Sequence, residues 1–419
     1  MSALAIIADD LTGALDTGIK FSKTGIGTQV VMGHKFCSDD IDLDKEVLVI
    51  DTETRHVSEN EAYARVYKTA KQCLDMGIKH FYKKTDSALR GHIGSELAAL
   101  YDVLGKPVAF IPALPRENRT TEKGIHYIDG VPVAESIFGR DPLNPVRHSE
   151  IFRLLEEETG LSVCSIGGKR PAEWPDGQVV VFDASTDEDL KQIGGYLVDH
   201  ERLQVTAGCA GFAKVLSEVL PFSERTERNR PQSSKLFVLC GSVNDVSSRQ
   251  LLFAARAGYT RISLSQEQKL GDHYLNSVDG ERFLSDIKNL CREKDRLIID
   301  VFSEHTIEDA AAYADAEGID REEISGRIAE RLAELGSQIL SLKEDASILV
   351  IGGDTLYAFM QALSKPVLDP VCEPVPGTVS MLVKTNDGHI FPLISKSGGF
   401  GQEDLIIETE KHVLKKGGI

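Results

Sequence analysis

The chain has 419 residues, 42% of them hydrophobic, with 65 acidic against 47 basic side chains and a formal net charge of −18. That length exceeds the roughly 250–300 residues one core organises, so two domains are expected, each with apolar content enough for a core. The acidic balance excludes the broad basic surface that nucleic acid requires, while leaving room for a local pocket for a small anion. No stretch approaches the ~18 apolar residues of a membrane span, and Met1–Ile7 is too short for a signal peptide before Asp9 and Asp10 intervene. No membrane partner and a cytoplasmic location are the expectation. The cysteines (Cys37, Cys73, Cys164, Cys209, Cys240, Cys291 and Cys372) are scattered without zinc spacing, so free thiols are expected, with Cys372 inert.

Short β-branched runs alternate with helical patterns from the start. Strands are expected at Leu4–Ile7, Gln29–Met32, Val47–Ile50, His80–Lys83, Val108–Ile111, Val179–Phe182 and Gln204–Ala207, and helices at Glu59–Met76, Gly94–Leu104 and Ser149–Glu158. A helix is also expected after Ala8, capped by Asp10 or Thr12. The polar stretch Phe222–Ser234 reads as a linker, placing a boundary near Pro231. Beyond it, strands are expected at Leu236–Leu239, Arg261–Leu264, Arg296–Val301, Ser347–Ile351, Val379–Lys384 and Ile390–Ile394. The last two are joined by Asn386-Asp387-Gly388, a hairpin signal. Ile324, Ile328, Leu332, Leu335 and Ile339 mark a helix over roughly Asp320–Leu342, and another begins near Leu356. Strand–helix alternation of this kind implies α/β architecture, two domains each with a mostly parallel sheet flanked by helices.

In such sheets ligands bind where strands end at their carboxyl side. The first expected strand runs into Asp9 and Asp10 within DDLTG. Arg55 follows the third, and its fork suits a carboxylate. Lys84, Thr85, Asp86, Ser87 and Arg90 follow the fourth. The two cations could neutralise an anion, the hydroxyls could read hydroxyl groups, and Asp86 could act as a base. Pro112–Thr121, with Arg116 and Arg119, reads as a loop that is either solvated or a substrate wall. His56, His92 and His126 lie near these loops and are read as structural or exposed.

The second half carries glycine-rich loops after its strands: Gly241-Ser242, Gly352-Gly353-Asp354-Thr355, and Lys396-Ser397-Gly398-Gly399-Phe400-Gly401. Backbone amides in such loops cradle phosphates. None has the Walker pattern, and no G-x-G-x-x-G follows a first strand, which counts against a nicotinamide dehydrogenase. The reading is a nucleotide-binding domain by a non-Walker route.

Taken in order, DDLTGALDTG, KKTDSALRGHIGSEL, PALPRENRTTEKGIHYIDGVPVAES, RDPLNPV, GGDT and KSGGFG resemble the four-carbon acid sugar kinase family over nearly the whole chain. The resemblance implies a sugar-acid-binding domain over residues 1–230, a nucleotide-binding domain over 231–419, and an active site in the interdomain cleft. It implies ATP-dependent phosphorylation of the terminal hydroxyl of threonate, erythronate or 3-oxo-tetronate. Substrate contacts carry over to Asp10, Arg55, Lys84, Thr85, Asp86 and Ser87, with Asp10 or Asp86 as the base. ATP contacts carry over to Gly352, Gly353, Asp354, Thr355, Gly398 and Gly399, with Lys396 stabilising transferred charge. Ser242 is the nearest match to the family serine and Ser247 is a rival. Mg²⁺ is inferred from the phosphate chemistry, with its protein ligands left unknown. A homodimer is the base-rate assembly. The alternative is a non-catalytic sugar-acid sensor with regulatory nucleotide binding.

Overall fold

A computed structural model describes the chain apart from residues 1–2, 34–35, 37–40, 43, 142–143, 169, 224–228, 304–305, 365, 386 and 416–419. It divides into two compact units, Met1–Glu227 and Arg228–Ile419.

The first unit begins with β1 (Leu4–Ala8), α1 (Leu11–Ser22), β2 (Thr28–Met32), β3 (Val47–Asp51), α2 (Glu59–Asp75), β4 (His80–Lys84), α3 (Ile93–Leu104) and β5 (Val108–Ile111). It continues with β6 (Arg119–Glu122), β7 (Ile125–Ile128), β8 (Val131–Pro132), α4 (Ile151–Glu158), β9 (Val163–Ile166), β10 (Val179–Phe182), α5 (Asp187–Asp199), β11 (Val205–Gly208) and α6 (Ala210–Val219). Its main sheet is parallel throughout, in the order β2-β3-β1-β4-β11-β5-β10-β9. Helices α1, α6 and α5 pack together in one layer, α2, α3 and α4 in another. Strands covered on both faces favour apolar side chains along their length, which is why β1 and, up to Ile50, β3 read as apolar runs; both are buried throughout.

Caps decide where these helices begin. Asp10 is extended and accepts the Gly13 N–H at 2.8 Å, turning the chain from β1 into α1; Asp10, not Thr12, is the cap. Ser58 caps α2, whose buried Ala62, Val66, Ala70 and Cys73 fall at helical spacing. No side chain at His92 caps α3; instead Glu158, at the end of α4, accepts the Gly94 and Ser95 N–H groups at 2.7 and 3.3 Å. Residues Pro112–Thr121, expected as a loop, instead lead into a second, antiparallel sheet, β6-β7-β8.

The second unit runs β12 (Lys235–Cys240), α7 (Asp245–Arg256), β13 (Thr260–Ser263), α8 (Gln266–Leu270), α9 (Val278–Glu293), β14 (Arg296–Asp300), α10 (Thr306–Glu317) and α11 (Ile324–Leu340). Then come β15 (Ala346–Ile351), α12 (Gly353–Ala362), β16 (Val367–Cys372), β17 (Thr378–Lys384), β18 (Ile390–Lys396) and α13 (Leu405–Val413). Strands β13-β14-β12-β15-β18 are parallel, and β17 and β16 extend the sheet antiparallel. Helix α11 packs on α8, α9, α10 and α12, while α7 packs on α13. Two differences from expectation stand out. Helix α12 starts at Gly353, before the expected Leu356. Strand β16, unforeseen, carries Pro370 where the register shifts, a place that tolerates a missing N–H donor. The β17–β18 hairpin forms, although Asn386 of its turn lies outside the described residues. Cys37 lies outside them as well; the other cysteines are free thiols, and burial pushes the Cys372 thiol above its ordinary value. Among the described residues no helix is long and apolar enough to cross a membrane.

Candidate active site

Strand β1 sits between β3 and β4, which belong to the two oppositely growing halves of the first sheet. Ala8 pairs with Asp51 on one side and Lys84 on the other, so three strands end level at this switch point. The loops that leave them carry Asp9 and Asp10, Arg55, and Thr85–Arg90.

Arg55 organises this cluster. Its Nε and Nη2 donate to Asp9 Oδ2 at 2.9 and 2.7 Å, and its Nη1 donates to Asp10 Oδ2 at 2.8 Å. Nη2 also lies 3.6 Å from Asp86 Oδ1. Burial opposes the guanidinium's charge, but Asp9, Asp10 and Asp86 together raise its pKa well above the usual value. Burial likewise pushes the Asp9 carboxyl up, and Arg55, Lys84 and Lys83 outweigh it, holding Asp9 below its ordinary value. Asp9 is the main anchor of that guanidinium. It holds Arg55 through two nitrogens and keeps Oδ1 buried with no partner.

Asp86 is the most heavily satisfied carboxylate here. Oδ2 accepts from Arg90 Nε at 2.8 Å and from the Ala88 and Arg90 N–H groups at 3.2 and 3.3 Å; Oδ1 accepts from Arg90 Nη2 at 3.2 Å. Burial acts against its charge, yet Arg55, Arg90 and Lys84 hold the carboxyl far below the usual range. Lys84 differs from the other cations. Its buried Nζ donates to the Thr85 carbonyl at 2.7 Å, and no ion pair to it appears among the described residues. Thr85 is anchored by its N–H to Gly208 O at 2.9 Å, and its buried hydroxyl has no partner. Ser87 is half-buried and accepts a hydrogen bond from Arg119 Nη1. Asp10, a quarter exposed, presents the most open carboxylate of the group.

Beneath these loops lies a second tier. Lys83 Nζ sits 3.0 Å from Glu96 Oε2, with both side chains essentially out of water. Lys83 also donates to the Lys84 carbonyl at 2.9 Å, and Thr54 Oγ1 donates to Glu96 Oε1. Thr54 and Arg55 N–H groups return to the Asp9 carbonyl at 3.0 and 3.3 Å. Glu96 is legible in the sequence only as part of GHIGSEL; nothing local marks it as a buried ion-pair partner.

In the second unit the loops after β12, β15 and β18 leave neighbouring parallel strands. Gly352 has φ +117, a conformation L side chains rarely adopt, and caps α12. Gly353 and Asp354 are exposed in the first turn of α12, Asp354 accepting from Ser325 Oγ at 3.4 Å, while Thr355 is buried. A Cβ on Gly398 would stand 2.2 Å from Ser242 Oγ, so any larger residue would push the Ser242 side chain or this loop aside. Gly399 is exposed beside Asn244. Ser242 and Ser247 hydroxyls lie 3.2 Å apart, and Ser247 donates to Gly398 O at 2.8 Å, so both rival serines meet the same loop. Gln250, not anticipated, donates to the Phe400 and Gln402 carbonyls at 3.0 and 2.9 Å and fixes the far side of that loop. Lys396 is buried with Nζ donating to Gly398 O at 3.0 Å; burial pushes its pKa down to about 8.

Residues 4–216 match a family model described as a sugar-binding N-terminal domain, and residues 237–406 one described as a nucleotide-binding C-terminal domain. The D-erythronate kinase of Heliobacterium modesticaldum is 28% identical, over 99% of this chain and 98% of that protein. The D-threonate kinase of Salmonella typhimurium is 26% identical, over 97% of each. A solved structure from Salmonella typhimurium LT2 superposes with a TM-score of 0.81 at 22% identity, over 98% of this chain and 99% of that one, and shares its fold.

Proposed function

Because this chain belongs to the four-carbon acid sugar kinase family, which joins a sugar-binding N-terminal domain to a nucleotide-binding C-terminal domain, we propose that it is an ATP-dependent kinase of a four-carbon sugar acid. The reaction transfers the γ-phosphoryl group of ATP to the terminal hydroxyl of threonate, erythronate or 3-oxo-tetronate.

The observation that carries the sugar-acid reading is the pairing pattern at the level strand ends. Arg55 is committed to Asp9 and Asp10, whereas Lys84 has no carboxylate partner among the described residues. An incoming substrate carboxylate therefore goes to Lys84, with Arg55 framing the site. Thr85 and Ser87 supply hydroxyls for the substrate's own. Asp10 is the better proton acceptor of the two candidate aspartates, because Asp86 is held as an anion by hydrogen bonds from the Arg90 guanidinium and two amides, with the Arg55 guanidinium 3.6 Å away. Asp86 then acts by keeping Arg55 and Arg90 in place.

ATP takes the other unit, with its phosphates on the amides of Gly352–Thr355 and Gly398–Gly399 and Ser242 alongside. Lys396 supplies positive charge near the transferred group. Among the described residues no group of three or more His, Cys, Asp or Glu side chains is placed to hold a metal ion. That fits Mg²⁺ held mainly by nucleotide oxygens, with the exposed Asp354 the carboxylate available to it. Bound there, Mg²⁺ would supply neutralisation of the phosphate charge.

The deciding experiment is an ADP-release screen across D- and L-threonate, D- and L-erythronate and their 3-oxo forms. Release with one of them is expected. Calorimetric binding of a sugar acid with no ADP release under any condition tested would instead make the chain a sensor.

A further inference from the structure

The antiparallel β6-β7-β8 sheet reaches the site described above only at Ser87, and it grips that residue at both its side chain and its backbone. Arg119, the first residue of β6, donates from Nη1 to the Ser87 hydroxyl oxygen. His126, on β7 and fully buried, lies with Nε2 3.0 Å from the Ser87 carbonyl oxygen. A carbonyl only accepts, so Nε2 carries the proton. The other ring nitrogen, Nδ1, lies 3.1 Å from Thr121 Oγ1 and accepts from that buried hydroxyl. Burial keeps this imidazole neutral, its pKa pushed down to about 4. The Arg119 guanidinium is itself held: its Cζ sits 5.5 Å from the Phe138 ring centroid, and the Arg90 Cζ sits 5.2 Å from the same ring. Arg90 closes the circuit by binding Asp86.

A guanidinium can donate but never accept. Ser87 Oγ therefore accepts from Arg119, and its own hydrogen is left to donate elsewhere. We propose that Arg119 and His126 are positioning residues that orient the Ser87 hydroxyl, occupying one of its lone pairs and turning its hydrogen toward an acceptor oxygen of the substrate, which makes the small sheet the device that discriminates among sugar acids. The proposal rests on the kinase reading for its substrate class. A site that presents one oriented donor favours the acid whose oxygen meets it, and disfavours an epimer whose oxygen points away and leaves the donor unpaired.

The test compares wild type with Arg119→Met, Arg119→Lys and Ser87→Ala, reading calorimetric Kd and kcat/KM for D-erythronate and D-threonate, with KM for ATP alongside. Arg119→Met and Ser87→Ala are expected to lower the preference between the two acids at least tenfold with KM for ATP unchanged, and Arg119→Lys to restore most of it. Equal weakening of both acids, or loss of ATP binding as well, would reduce Arg119 to a structural role and overturn the proposal. Imidazole ¹⁵N NMR at neutral pH checks the clamp without turnover: His126 protonated at Nδ1 instead of Nε2 also overturns it. Failure of wild type to release ADP while still binding one acid selectively would sink the kinase reading alone.

Discussion

Lys83 and Glu96 form an ion pair with 3.0 Å between Nζ and Oε2, sealed from water under the loops that carry Arg55 and Lys84. Such pairs add little net stability over an apolar replacement, but removing one partner strands a buried charge. Glu96→Ala is expected to destabilise the first unit by about 3–5 kcal/mol. The double variant Lys83→Met, Glu96→Leu should recover most of that loss. Denaturant midpoints for the two variants check the claim. A recovered fold with sugar-acid KM still raised would assign the pair to loop alignment, since Lys83 and Thr54 tie it to the loops after β4 and β3.

Lys84→Met should raise KM for the sugar acid by about 10- to 100-fold, the range expected for losing one charge-assisted hydrogen bond. KM for ATP should stay unchanged. The same change at Arg55 is expected to do more than weaken binding, because Asp9 and Asp10 lose their shared counter-ion. Steady-state kinetics separate the two. Equal effects from both variants would contradict the division of roles between them.

Gly398→Ala places a methyl group against Ser242 Oγ, where the notional Cβ stands 2.2 Å away. We expect KM for ATP to rise about tenfold or more, the cost of displacing the loop after β18 by an ångström or so. Ser242→Gly in the same chain removes the obstruction and should restore part of the binding. Fluorescent-nucleotide titration of single and double variants reads this directly.

Lys396 loses its proton as pH rises through about 8, because burial disfavours the ammonium. kcat/KM for ATP should therefore fall above about pH 8, and Lys396→Arg should move that limb upward, since a guanidinium stays charged. Stability follows the opposite sign. An unfolded lysine holds its proton to about 10.4, so from pH 8 toward 10 the unfolded chain binds more protons and the folded state gains stability as pH rises. A flat pH profile in both measurements would place the Lys396 ammonium in water.

The sequence by itself determined the strand ends and what stands on them. Leu4–Ile7 and Val47–Ile50 are legible because burial on both faces leaves an unbroken apolar signature, and Asp10 is legible as a cap because capping is local. The glycines of GGDT and KSGGFG are legible for the same reason, as turn chemistry within a few residues. Pairing between distant parts was decided only in the tertiary structure. That Arg55 is spent on Asp9 and Asp10 while Lys84 is left over depends on the β3-β1-β4 register, which no local pattern encodes. Glu158 capping α3, Pro370 sitting at a strand bulge, and Arg119 and His126 meeting Ser87 are of the same kind. Short-range preferences shape a residue's own segment, whereas the partner that a charge or hydroxyl finds is set by which segments the packed core brings side by side.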